Sequence, residues 1–189
     1  RIGDGDDMAL RGVISHVNDR AAALGCAVGQ SAMACAEAMR AAPLPSGAVP
    51  SYEEARFLFS EDGESPAIWG VDSASLLRPD DAGQVVLTAS HGALLGGDAA
   101  SAVKYDVLAC AYNDAGVGID DIGISRLPAL DQRQIAAVTV DCRTARIGDV
   151  RTMWQGGVIS HLNKTARRLD VAAGDSLRSF AQKAQKSAS

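Results

Sequence analysis

Residues 84–98 read QVVLTASHGALLGGD, a short apolar run that ends in a Ser-His pair and a glycine-rich stretch. Three other runs share this form: AIWGV at 67–71, VLACAY at 107–112 and IAAVTV at 135–140. Each is nearly continuous in apolar residues rather than alternating, as expected of strands buried on both faces and hence parallel. Helical stretches are predicted between them at 98–105 and 125–133, and after the last run at 149–169 and 175–186. Alternation of strand and helix predicts an α/β domain with three layers and a mainly parallel sheet joined by right-handed crossovers.

The surrounding composition is that of an ordinary globular chain, with 47% apolar and 22% charged residues over 189 positions. The net charge of −5 and a pI near 5.1 argue against a nucleic-acid binder and against a basic membrane-surface protein. No apolar run approaches the roughly 18 residues that a bilayer span requires. The four cysteines, Cys26, Cys35, Cys110 and Cys142, form no CxxC pair and have no His at metal-ligand spacing. They read as free thiols in a reducing, cytoplasmic setting.

Ahead of the strand region the chain repeats its own end. Residues 1–40 aligned without gaps on residues 146–185 agree at 17 of 40 positions, concentrated in RIGD and in GVISH-x-N. The copies lie 145 residues apart, the size of a domain rather than of a solenoid repeat. The expected organisation is therefore a helical pair at 1–42, the tail of a preceding repeat, then a linker and short helix at 43–66, then an α/β domain at 67–189.

Met8, Val13, Val17, Ala21 and Leu24 form one stripe, which predicts a helix over 8–24. A second Ala-rich helix is expected at about 31–41. PLPSGAVP at 43–50 reads as a linker, and Ser51 with Glu54 as a capping box that opens a helix through residue 59. The 189 residues hold no counterpart of the body at 67–145 ahead of the first copy, so the chain is expected to be a piece of a longer two-repeat protein or to have the matching body on another polypeptide. The helical pair is expected to pack in a homo-oligomer or on a second polypeptide that carries the missing body, with docking on the 67–189 domain as the alternative.

In parallel sheets ligands bind beyond the carboxyl ends of the strands, and four loops qualify. The first holds Asp72 and Ser73. In the second, Ser90 and His91 leave their strand, Gly92, Gly96 and Gly97 let backbone approach an anion, and Asp98 can cap the next helix. His91 titrates near neutrality and is a candidate general acid or base; a tight turn with a buried imidazole is the structural alternative. The third loop carries Asn113, Asp114, Gly116, Gly118, Asp120 and Asp121, the chemistry to hold Mg²⁺ or to position a base at Asp114, although the spacing excludes an EF-hand. The fourth holds Asp141, Cys142, Arg143, Arg146 and Asp149. Arg143 and Arg146 can clamp a carboxylate or phosphate, with a salt bridge from Arg146 to Asp149 as the competitor. Cys142 is a nucleophile only if its pKa is lowered. His16 and His161, at matching places in the repeat, are expected inside helices as hydrogen-bonding structural residues.

No P-loop or GxGxxG pattern is present, and neither a metal site nor a cofactor is assigned. These residues lead to an expected enzyme acting on a small anionic metabolite, by hydrolysis or isomerisation, with His91 or Asp114 as acid or base. Ser90, Gly92, Gly96, Gly97, Asn113, Arg143 and Arg146 would form its binding surface. The alternative is a non-catalytic ligand-binding or regulatory subunit of a larger two-repeat assembly. The two part on whether His91 has a base-like partner or has its nitrogens satisfied by backbone.

Overall fold

A computed structural model describes residues 1–43, 47–48 and 51–188. The chain forms two compact units, Arg1–Tyr52 and Glu53–Ser189. The linker read at 43–50 lies largely outside the described residues.

The second unit is built on a six-stranded, mostly parallel sheet whose strands lie in chain order. They are β1 (Arg56–Leu58), β2 (Ile68–Val71), β3 (Val85–His91), β4 (Ala109–Asn113), β5 (Ala136–Val140) and β6 (Ile159–Leu162). The four inner strands β2 to β5 are parallel, and β1 and β6 add antiparallel edges. These four are the apolar runs of the sequence. Their side chains alternate between two hydrophobic clusters. One joins Leu87, Ala111 and Val138 to Met153, Leu177 and Phe180; the other joins Val86, Cys110 and Tyr112 to Leu77, Val103 and Leu130. The crossovers therefore share one face and the C-terminal helices cover the other. Because the strand order never reverses, the sheet has no switch-point crevice.

Three sequence expectations fail in this unit. Residues 51–59 do not form a helix: residues 56–58 are strand β1. Tertiary contacts override the capping-box pattern, since Asp72 accepts from the Ala55 amide at 2.9 Å and Arg56 pairs with the buried Asp81 carboxylate. The long helix expected at 149–169 is also broken. It divides into α5 (Val150–Gly156), β6 and α6 (Lys164–Arg167), with α7 (Leu177–Lys186) following. Gly157 ends α5 in an extended conformation in which a Cβ would lie 2.5 Å from the Met153 carbonyl. The β-branched Val158 and Ile159 then suit a strand. The stretch expected at 98–105 is only a 3-10 turn at Ala99–Ala102, whereas 125–133 holds the helix α4 (Arg126–Gln132).

In the first unit the helix expected at 8–24 breaks in the same way. It becomes α1 (Gly5–Arg11), an extended stretch, and α2 (Asp19–Ala23), before α3 (Ala32–Arg40). The order of capped helices and bridges parallels that at 146–185. Asp4 and Asp149 cap α1 and α5, and Asn18 and Asn163 cap α2 and α6. Ser31 and Ser176 cap α3 and α7. Isolated antiparallel bridges join Val13 to Ser31 and Val158 to Ser176. His161 thus lies in strand β6 and His16 on irregular backbone, neither inside a helix.

Among the described residues no helix is long and apolar enough to cross a membrane.

Candidate functional site

Where β2 and β3 end, a cavity of about 460 Å³ opens against the first crossover face. Its polar wall comprises Ser73, Ser75, Ser90, His91, Ser101, Lys104 and Arg126, with Leu77, Leu95, Val103 and Tyr112 among the apolar lining. No carboxylate lines it.

Arg126 dominates its electrostatics. The first residue of α4, it is 5% exposed. Nε donates to the Ala93 carbonyl at 3.0 Å, and Nη1 donates to the Ser101 and Ala102 carbonyls at 2.8 and 2.6 Å. Among the described residues no carboxylate pairs with it. Carbonyl dipoles thus solvate a buried cation, and the charged residues of the cavity lining are cationic.

His91 shares this cavity. Burial first, and then the Arg126 charge, push its pKa below the usual histidine value. The Ala93 amide donates to Nδ1 at 3.2 Å, so the neutral ring carries its proton on Nε2. That nitrogen is a donor, not a base. Ser90 Oγ accepts from the Ala74 amide at 2.9 Å and keeps its own proton to donate.

The glycines after His91 act differently from expectation. A Cβ on Gly92 would lie 2.3 Å from the Gly123 carbonyl, so this glycine permits a backbone contact. Its amide donates to Asn113 and its carbonyl accepts from the Arg126 amide, which leaves neither for a ligand. Gly96 and Gly97 shape an exposed turn with φ of 58° and 76° and do not line the cavity.

Asn113, Asp114, Arg143 and Arg146 are not among the lining residues either. The structure brings Ser90 and His91 together but does not gather all four loops into one cleft. Asn113 is buried and ties β4 to the loop after β5: Nδ2 donates to Ala145 at 3.1 Å, and Oδ1 accepts from Ala115 at 2.8 Å. Asp114 accepts from the Gly116 and Cys142 amides at 2.9 and 3.0 Å. Arg143 is spent on Asp141, at 2.6 Å, and holds that carboxyl down to about 2. The Arg146 side chain is exposed, and its backbone amide donates to Thr152 Oγ1 at 2.9 Å. Asp149 instead caps α5. Asp72 joins two segments, accepting from Ala55 and Val150, each at 2.9 Å.

Asp114, Asp141 and Cys142 each offer one ligand atom, all within 4.8 Å of one another. A cation there would have to displace Arg143 from Asp141. The Cys142 thiol is pushed up, by burial first and then by the Asp114 charge. It is the reverse of an activated nucleophile.

A larger cavity of about 690 Å³ lies along β6 and α4, lined by Ile124, Leu127, Pro128 and Leu162 together with acidic and basic side chains. The Nδ1 atom of His161, which lines it, is buried without a partner. Its charges are mixed, whereas the charged lining of the smaller cavity is of one sign.

Sequence reasoning missed Arg126, Lys104 and Ser75. Arg126 does not follow a strand, so a search of strand ends passes over it. Its one signal is a cation in the first turn of a helix, where the dipole disfavours it.

Family models, curated proteins and solved structures give no match to this chain.

Proposed function

We propose that the Glu53–Ser189 unit binds a small metabolite bearing a carboxylate or phosphate in the cavity at the ends of β2 and β3. The observation that carries this reading is Arg126, a buried cation without a carboxylate partner among the described residues, beside a cavity without acidic lining. An anion there gains charge-assisted hydrogen bonds and meets no carboxylate among the lining residues. Lys104, Ser90 and the Nε2 proton of His91 supply further donors.

The occupied Nδ1 of His91 favours a non-catalytic ligand-binding or regulatory subunit over a hydrolase or isomerase. A general base needs a free lone pair, and Asp114, the other candidate base, does not line this cavity. The reading further takes the second unit as three-layered and places the chain in a reducing, cytoplasmic setting. It takes residues 1–40 as a copy of 146–185, within a larger two-repeat assembly.

Calorimetric titration with inorganic phosphate and with acetate tests the anion site. Saturable binding is expected for one or both, weakened about tenfold by Lys104→Ala and by His91→Gln and abolished by Arg126→Gln. Lys104 is exposed, so its variant keeps the fold. Absence of binding by either anion, or binding that all three variants leave unchanged, overturns the proposal.

A further inference from the structure

The Arg1–Tyr52 unit repeats the backbone of residues 146–185 but not its burial. Met153 is 0% exposed and its counterpart Met8 is 55% exposed; Ala184 is 1% exposed and its counterpart Met39 is 45% exposed. Ile159, Leu162 and Ala166 are buried, whereas Ile14, Val17 and Ala21 are only half-buried. Those last three residues and Met39 line an apolar hollow of about 210 Å³. In the second unit the equivalent face packs on the sheet, against Val138 and Val140. The edge is likewise unpaired. Residues 159–162 form β6 on β5, whereas residues 14–17 pair with no strand among the described residues.

We infer that this face is a docking surface for a sheet-bearing body of the β2–β5 kind, supplied from outside these 189 residues. This rests on reading residues 1–40 as a copy of 146–185 and is independent of the anion site. The repeat gives the geometry. A strand resembling β5 pairs antiparallel with residues 14–17 in the register that β6 uses, where Thr139 faces His161 and Val138 faces Leu162. His16 and Val17 then take those places, and Met8 and Met39 close over the sheet.

A second copy of this chain is the wrong occupant on stoichiometric grounds. Each chain has one strand of the β5 kind, and β4 and β6 already occupy its two edges. Each chain also has two segments of the β6 kind. No number of copies balances two such segments against one strand, so the partner strand must come from elsewhere.

Hydrogen exchange tests this. In the 189-residue chain, the amides of residues 14–17 should exchange about a hundredfold faster than those of residues 159–162. Residues 53–145 are then fused directly ahead of Arg1, so that a second β5 leads into RIGD as it does at Arg146. Exchange of residues 14–17 should slow in this fusion to the rate of residues 159–162. A companion fusion, with residues 1–40 replaced by 146–185, reports whether the added body folds. Protection in the companion but not at residues 14–17 of the first fusion overturns the inference. Protection in the unfused chain that rises with concentration, together with dimers in light scattering, also overturns it by making a second copy the occupant.

Discussion

The guanidinium of Arg126 lies over the ring of Tyr112, 4.7 Å from its centroid, and both residues donate to one carbonyl, that of Ala102. Arg126 Nη1 reaches it at 2.6 Å and the Tyr112 hydroxyl at 2.7 Å. The two contributions to stability are therefore unequal. Tyr112→Phe leaves the carbonyl bonded to Arg126 and should cost about 1 kcal/mol. Arg126→Gln strips donors from the Ala93, Ser101 and Ala102 carbonyls and should cost about 3 kcal/mol or more. Urea denaturation of the two variants separates these values; equal losses would contradict the shared-carbonyl arrangement.

His91 predicts a pH dependence of definite sign. Its folded pKa is lowered from 6.5, so below that pH the unfolded chain takes up a proton that the folded chain resists. The stability contributed is fully present above the unfolded pKa and is lost as pH falls toward the folded one. Thermal unfolding followed from pH 8 to pH 5 should show this loss, and His91→Gln should flatten that part of the curve. An anion in the cavity opposes the shift by favouring the imidazolium. Sulfate should therefore bind more tightly as pH falls through this range, and binding should take up protons in calorimetry with buffers of different ionisation enthalpy.

The four inner strands were legible in the sequence because burial on both faces leaves a mark that needs no tertiary knowledge. Runs such as QVVLTA and IAAVTV can serve little else. The two edge strands were not legible. Residues 56–58 form a strand because Asp81 and Asp72 hold their flanks, and those partners are remote in sequence. The stretch GVISH was hidden for another reason. Met8, Val13 and Val17 fit a helical stripe, and the break at Gly12 and Gly157 follows from close backbone contact with the preceding turn. In the lining of the smaller cavity, Ser90 and His91 follow from strand-end position alone. Arg126 does not, because a crossover helix carries it back to the cavity. Asn113 and Asp114 sit at a strand end too, but their side chains serve the loop beyond β5.

Gly92 is a packing position, and its substitution should behave accordingly. An added methyl would meet the Gly123 carbonyl at 2.3 Å and the Thr139 Cγ2 atom at 3.0 Å, and backbone cannot move aside as a flexible side chain can. Gly92→Ala should lower stability by about 2 kcal/mol or more, in the range of overpacked cores. Gly97→Ala meets nothing within 4 Å, though its positive φ of 76° should still cost about 1 kcal/mol. Melting temperatures that rank Gly97→Ala as the more damaging change would refute the packing role.

Asn18 and Asn163 provide the sharpest comparison between the two matching segments, since one residue type caps one kind of helix in two surroundings. Asn18 is exposed, and its Oδ1 accepts from the Ala21 amide at 2.9 Å. Asn163 makes the equivalent cap to Ala166 at 2.8 Å and also works within the sheet: Oδ1 accepts from the Ala137 amide at 3.1 Å, and Nδ2 donates to the Ile135 carbonyl at 2.8 Å. It is 6% exposed, so water cannot replace those partners. Asn18→Ala should therefore lose only a helix cap, about 1 kcal/mol. Asn163→Ala loses the cap and leaves buried backbone groups on both Ala137 and Ile135 without their partners, for a total of about 3 kcal/mol or more. Asn163→Asp separates the two roles. It keeps the cap and the bond from Ala137 but turns a donor toward the Ile135 carbonyl into a second acceptor, so it should also destabilise strongly, while Asn18→Asp should be close to neutral. Unfolding of the second unit, followed by Trp69 and Trp154 fluorescence, reads the Asn163 pair; amide exchange in α2 reads the Asn18 pair. Equal losses at the two positions would mean that Asn163 acts as no more than a cap.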